Sequence, residues 1–310
     1  MRDHSPDVVG FVKTRISKHV ADRVIAQLKI PNSFRVEADG FSGGIWICWY
    51  DHIQIDVLFN HFQFVQCRIH CKSNNHSALA TFVYASPNPA KRKTLWSYLQ
   101  LLSNHINEPW VILGYFNAAL SPNDRKGCVS IPVSDQDFSN IVFDSSLHNL
   151  GYQGPDFTWY RGPCAVRLDR CLCNDKWLDA YPDTLVYHLL RMKSDHRPLL
   201  LSIGKNSNKR HQSQFRYFVG WTLHKDFHKL VLDNWDSSLL ITQAISKFSS
   251  AAKIWNQHSF GQLSHRKRNI MGRLRGIQRY LDKKHSAYLL QLETKLQAEL
   301  ELILDQEELL

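Results

Sequence analysis

The stretch Val111-Ile112-Leu113-Gly114-Tyr115-Phe116-Asn117 decides the fold. Its aliphatic run predicts a strand covered on both faces, and Gly114 lets the backbone bend at the end of it. Phe116 is placed to anchor that bend in a core. Asn117 then offers an amide at the strand's C-terminal edge, where open α/β sheets carry their sites. Tyr115 is the odd member, a bulky phenol where a small polar side chain would be natural.

Outward from this strand, residues 7–203 alternate between strand-like and helix-like runs. Residues 7–12 form a short buried strand. Residues 43–50 and 53–59 alternate around the polar pair Asp51-His52 and predict a hairpin. Two more strands follow, over 64–70 and 78–86. From Lys91 to Ile106, Leu95, Leu99, Leu102 and Ile106 share one helical face. Ser134 and Asp137 stand at capping-box spacing at the start of a second helix, which the pattern closes at Gly151. Strands are expected over 157–162 and 166–173, and a turn at Ser194-Asp195-His196 runs into a last strand.

Residues 204–214 are polar and read as a linker. Beyond them the pattern turns helical. Residues 262–284 hold eight Lys and Arg against one Asp, and residues 285–310 hold six acids against one Lys. Ile270, Leu274, Ile277 and Leu281 make a heptad-like stripe expected to face Leu289, Leu292, Leu296 and Ile303 of a following helix, with the basic side chains outward.

The chain has 310 residues, 44% hydrophobic, with a net charge of +10. That supports a large core and favours a polyanionic partner, DNA or another nucleic acid. The seven cysteines are irregularly spaced, with no CxxC pair, so neither a zinc ribbon nor a disulfide framework is indicated. Small reduced core side chains and an intracellular compartment, the nucleus included, fit them. No signal peptide and no membrane span is indicated.

Four short stretches carry chemistry. Tyr84 ends a strand in Tyr-Ala-Ser-Pro (84–87). Asn117 closes Gly-Tyr-Phe-Asn (114–117). Asp169 sits in Arg-Leu-Asp-Arg (167–170), and Asp195 and His196 in Ser-Asp-His (194–196). With Val-Lys-Thr-Arg (12–15), Ser-Gly-Gly (42–44) and Phe-Thr-Trp (157–159), they run in one order over some 190 residues. This set resembles the endonuclease/exonuclease/phosphatase superfamily, the DNase I-like fold. It is closest to the endonuclease domain of plant LINE-type (non-LTR) retroelements. The helical segment resembles the connector that precedes the reverse transcriptase in such elements.

The resemblance implies Mg²⁺-dependent cleavage of a phosphodiester by in-line attack of water. By it, Asp195 is a metal-side carboxylate. His196, oriented by Asp169, stabilises the transition state, and Asn117 and Tyr84 hold the phosphate and the water. Two positions depart from the pattern. Tyr115 stands where the family carries the Asp of Gly-Asp-Phe-Asn, and Lys13 where it carries the Glu of Glu-Thr-Lys. A protonated lysine cannot ligate Mg²⁺, and a phenol is a poor base at neutral pH. The family also has an earlier core strand bearing an Asn near the site, which these residues do not encode.

The expected architecture is therefore α/β, a four-layer sandwich of two mostly antiparallel sheets with outer helices over residues 1–203. A linker spans 204–214 and a helical connector 215–310. The expected function is a degenerate retroelement endonuclease domain with an incomplete metal site at Asp195 and poor Mg²⁺ binding. The rivals are an active Mg²⁺-dependent endonuclease and a non-enzymatic nucleic-acid-binding protein. Lys13 is expected to replace the metal's charge by pairing with Asp195, or with Asn117.

Overall fold

A computed structural model describes residues 4–39, 42–73, 76–128, 134–192, 194–204, 226–236 and 238–309. They fall into two compact units, Met1–Lys205 and Asn206–Leu310.

In the first unit the central layer is a six-stranded sheet. Its strands are β4 (Ile53–His61), β5 (Phe64–Cys71), β6 (His76–Tyr84), β7 (Trp110–Tyr115), β12 (Asp169–Cys173) and β9 (His148–Asn149), in that spatial order. All neighbours are antiparallel except β6 and β7. That parallel step needs a crossover, and α2 (Pro89–His105) supplies it. Asn88 caps α2, its side chain accepting from the N–H groups of Ala90 and Lys91, with Pro89 in the first turn. Leu95, Trp96 and Leu99 on α2 and Phe138 on α3 (Ser134–Asp144) bury against this face of the sheet, around Phe116 and Ile112.

The opposite face meets β1 (Val8–Val12), β2 (Asn32–Asp39) and β3 (Ser42–Trp49), ordered β1-β3-β2 and all antiparallel. Ile45 and Ile47 of β3 interleave there with Ile55, Val65, Cys67, Ala80 and Phe82. Leu201 of β14 (Leu199–Ser202), which pairs with β13 (Leu185–His188), packs against the same cluster. α1 (Lys18–Gln27) forms the outermost layer, with Ala21 buried and Asp22 paired to Arg35 of β2. The expected four-layer sandwich is the observed architecture. A small sheet of β8 (Arg125–Lys126), β10 (Trp159–Arg161) and β11 (Cys164–Val166) and the short helix α4 (Asp175–Ala180) complete the unit.

Three local expectations are corrected. Residues 43–50 and 53–59 are not a hairpin, because β3 and β4 lie in different sheets. The chain turns a corner at Asp51-His52, pinned by His52 to Asp7 at 2.7 Å and by the Asn32 amide to Asp51 at 2.8 Å. Both strands point their isoleucines at one core, so alternation alone could not separate the two arrangements. The helix from Ser134 ends at Asp144, with Ser146 at φ 48°, rather than at Gly151. Cys128 and Cys164 form a disulfide, whereas Cys48, Cys67, Cys71, Cys171 and Cys173 are free.

The second unit comprises α5 (Phe227–Asn234), α6 (Ile241–Lys283) and α7 (Ala287–Leu309). Ile270, Leu274 and Ile277 of α6 are buried, as are Leu296, Leu300 and Ile303 of α7, while Leu281 is half-buried. Gln278 donates to Glu293 at 2.7 Å inside that seam. Arg268, Arg273, Arg275 and Arg279 are exposed. The expected linker, apart from Gly204, and residues 215–225 lie outside the described residues. Among the described residues no helix is long and apolar enough to cross a membrane.

Candidate functional site

Strand register builds the site. Tyr84 of β6 pairs with Tyr115 of β7, and Tyr115 pairs with Asp169 of β12. Three of the sequence-selected residues thus stand side by side at one edge of the central sheet. β7 ends there because Gly114 adopts φ +136°, and a Cβ on it would lie 2.3 Å from the carbonyl oxygen of Val83. Ala85 N–H donates to the Tyr115 carbonyl at 2.7 Å, and Phe116 N–H to that of Leu168 at 2.9 Å. Phe116 is fully buried, stacked on Phe138 at 5.0 Å with Trp96 nearby. The next residue, half-buried Asn117, is left-handed at φ 51°, a conformation asparagine tolerates better than most side chains.

His196 and Asp195 arrive from the loop before β14. Oδ2 of Asp169 lies 2.8 Å from Nδ1 of His196. The backbone under Asp169 is fixed by Thr158, whose Oγ1 accepts from the N–H groups of Leu168 and Asp169 at 3.0 Å each. Nε2 of His196 is buried and has no hydrogen-bond partner among the described residues. A carboxylate on one ring nitrogen holds the imidazole in place and leaves the other nitrogen to meet a ligand atom. The rings of Tyr84 and Tyr115 are 5.8 Å apart, and that of Tyr115 meets the His196 ring edge-on at 4.8 Å. Burial pushes the Tyr115 phenol well above its ordinary range, and the carboxylates of Asp169 and Asp195 and the neighbouring Tyr84 reinforce it. It is a neutral wall of the cleft, not a base.

Lys13 follows β1 in a left-handed conformation, φ 61°, as does Arg15 at φ 59°. Thr14 and Arg15 N–H groups donate to the carbonyls of Gly44 and Gly43. Gly44 is needed, since a Cβ there would come 2.2 Å from Thr14 Oγ1. The expected pairing of Lys13 with Asp195 or Asn117 is not what the structure has. Its ammonium lies 5.8 Å from the centre of the Tyr115 ring, and no hydrogen bond joins it to either residue among those described. Asp195 takes its hydrogen bond from the indole Nε1 of Trp159 at 2.9 Å. Burial alone would raise the Asp195 pKa. The Trp159 hydrogen bond, the His196 ring and the Lys13 charge outweigh it and hold the carboxyl below its ordinary range. Lys13 therefore acts on Asp195 through its field, while a neutral donor supplies the contact.

The arginines around Asp169 serve another acid. Asp124, unremarkable in the sequence, is buried and accepts from Arg167 Nε at 2.9 Å and from Arg170 Nη2. Burial opposes its ionisation, but the two guanidinium charges win and its pKa is lowered. Burial in turn pulls Arg170 down to about 10. This triad fixes the start of β12 and so the position of Asp169.

Over residues 33–196, more than half of the chain, the sequence matches the model of the endonuclease/exonuclease/phosphatase family. The chain belongs to that family. None of the curated proteins compared matches it. Among solved structures, an AP endonuclease from Archaeoglobus fulgidus shares the fold, with a TM-score of 0.51 at 12% identity, over 66% of this chain and 91% of that one. A 3'-5' exonuclease from Neisseria meningitidis aligns with a TM-score of 0.47 at 18% identity, over 66% and 91%. The endonuclease domain of TRAS1, a telomere-specific non-LTR retrotransposon, aligns with a TM-score of 0.45 at 17% identity, over 56% and 80%.

Mg²⁺ takes near-octahedral oxygen ligation, usually several waters with one or two carboxylates. Among the described residues no three His, Cys, Asp or Glu side chains meet as a metal-ligand group. Asp169 is engaged by His196, Asp195 by Trp159, and the Lys13 ammonium is near enough to perturb Asp195. The Lys13 charge beside Asp195 opposes a cation there.

Proposed function

We propose that residues 1–203 are the endonuclease domain of a LINE-type retroelement of the kind plants carry, and that its hydrolytic centre is degenerate. On this reading the ancestral activity was Mg²⁺-dependent nicking of DNA. Residues 204–214 link the domain to a connector, 215–310, that precedes a reverse transcriptase. The observation that carries the degeneracy is the pairing of Lys13 with the buried ring of Tyr115 where two anions would serve metal and water. Loss of a positioned base costs about 10²- to 10⁴-fold in rate, and loss of metal charge stabilisation adds to it.

What the chain keeps suits binding a phosphodiester. His196 is oriented by Asp169 and keeps a buried Nε2 without a partner among the described residues, the atom that would meet a phosphoryl oxygen on this reading. On this reading Asn117 and Tyr84 would be the neutral groups for phosphate and water. The intact Asp169–His196 pair also favours the rival reading, a working endonuclease. The exposed arginines of α6 favour a second rival, nucleic-acid binding without catalysis.

A plasmid-nicking assay with Mg²⁺ tests the proposal. Wild-type protein is expected to nick no faster than the Asp195→Ala, His196→Ala double variant. Robust nicking that those substitutions abolish would establish the working enzyme instead.

A further inference from the structure

The turn between β4 and β5 carries an exposed aromatic side chain that the fold does not use. Phe59, His61, Phe64 and Tyr98 pack on one another, with ring centres 5.3 to 6.0 Å apart in the pairs that touch. Phe62 joins this group at its edge, its ring tilted on that of His61 at 4.2 Å, and remains 44% exposed. The Lys91 ammonium lies 5.8 Å from its ring centre. Hairpin tips favour small polar residues, and leaving a phenylalanine in water gains the fold nothing.

The tip is held firmly against the cleft. Gln63 is fully buried, and its amide accepts from Ser86 N–H and donates to the Lys91 carbonyl, both at 2.8 Å. Its backbone carbonyl accepts from the N–H of Tyr84 at 2.7 Å. The Phe62 carbonyl and the Tyr84 ring both lie about 4 Å from where a side chain on Gly43 would begin. The backbone at Phe62 therefore sits on a rigid support near Tyr84, while its ring lies by His61 and Lys91.

We propose that Phe62 is a stacking platform for one unpaired base of a nucleic acid whose backbone crosses the cleft, with Lys91 contacting the adjacent phosphate. An exposed ring beside an exposed cation is the pairing that single-stranded nucleic acids use, because each base offers a π face and each linkage a charge. A paired duplex has its faces stacked internally and gains nothing from the ring. The inference rests on the reading of the cleft as a nucleic-acid site, but it does not require catalysis.

The test uses the full chain, in the presence of a chelator, with a fluorescein-labelled oligothymidine and a blunt duplex of equal length. Anisotropy titrations compare wild type, Phe62→Ala, Phe62→Tyr and Lys91→Ala. Phe62→Ala is expected to weaken oligothymidine binding by about 5- to 100-fold. Phe62→Tyr should retain it, and duplex affinity should not change. Lys91→Ala should lower the slope of log affinity against log salt by about 0.7. Irradiation with a 5-iodouracil-substituted strand should crosslink the peptide holding Phe62. Because Phe62 is exposed, its variants should melt like wild type. Oligothymidine affinity unchanged in Phe62→Ala, or crosslinks confined to α6 and α7, would overturn the platform and leave the endonuclease reading standing. A wild-type chain that binds neither strand form would overturn both.

Discussion

The Trp159 indole donates to the Asp195 carboxylate at 2.9 Å, so the acid expected to face a cation is satisfied by a neutral ring. The contact joins a strand of the small sheet to the loop that carries His196, and Tyr160 N–H donates to the Asp195 carbonyl at 3.0 Å beside it. Trp159→Phe would keep the ring's packing and remove the donor. The Asp195 pKa should then rise, read from the pH titration of its side-chain carboxyl carbon by NMR. Because Asp195 is largely exposed, the stability loss should be about 1 kcal/mol or less. A titration midpoint that does not move would show that Lys13 and His196, rather than Trp159, hold the carboxyl down.

Lys13 and Tyr115 make a separate prediction about metal. Tyr115→Asp alone removes a buried ring and sets a second carboxylate opposite Asp169, at a cost of about 3 kcal/mol or more. Lys13→Glu together with Tyr115→Asp restores two anions, and Mg²⁺ should then raise the melting temperature of that double variant. Wild type should show no such shift. If Mg²⁺ stabilises wild type as much as the double variant, Lys13 and Tyr115 have not abolished the metal site.

The buried Asp124 triad should dominate stability at low pH. Asp124→Asn leaves the Arg170 guanidinium buried without a countercharge, which typically costs about 3 to 5 kcal/mol. In the wild type the folded pKa of Asp124 lies below the unfolded value of about 4. Its stabilisation is thus fully present above about pH 4 and is lost as pH falls through the folded value. Urea midpoints of wild type and Asp124→Asn should draw together as pH falls below about 4. A gap that stays constant as the pH is lowered through the acid range would sink the assignment.

β7 was legible because it is largely buried and reads as a continuous apolar run, Val111–Leu113, whereas the edge strand β9, short and exposed, was read as part of a helix. The sheet each strand joins was not legible. β3 and β4 follow one another with matching alternation, yet only the corner bonds of Asp51 and His52 reveal the change of sheet. α1 and β2 escaped notice because most of their surface is polar and exposed. At the site, Tyr84, Tyr115 and Asp169 came together through strand register, and His196 joins them from a loop through its bond to Asp169. Trp159 and Asp124 did not stand out because their partners lie 36 and 43 residues away in sequence. Lys13 was read as a partner for Asp195 or Asn117, but the two residues after it are held by Gly43 and Gly44 and its side chain goes to the Tyr115 ring.

His188 supplies a pH dependence in a different window. Its ring is buried, stacks on Tyr152 at 4.3 Å between centres, and lies 2.6 Å from the Pro155 carbonyl through Nδ1. Only a protonated Nδ1 can donate there, so the neutral ring carries its hydrogen on that nitrogen. Burial pulls the pKa down to about 4, against the weaker pull of the carbonyl in the other direction. Above about pH 6.5 the ring is neutral both folded and unfolded, and it contributes no pH dependence. Below that, the unfolded chain takes up the proton while the folded one does not. Stability should therefore fall by up to about 3 kcal/mol between pH 6.5 and 4. His188→Gln retains a side-chain N–H for the carbonyl and cannot titrate. Its urea midpoint should stay flat over that window while the wild-type midpoint drops. If both midpoints fall together, the loss of stability belongs to other groups and His188 is protonated without cost.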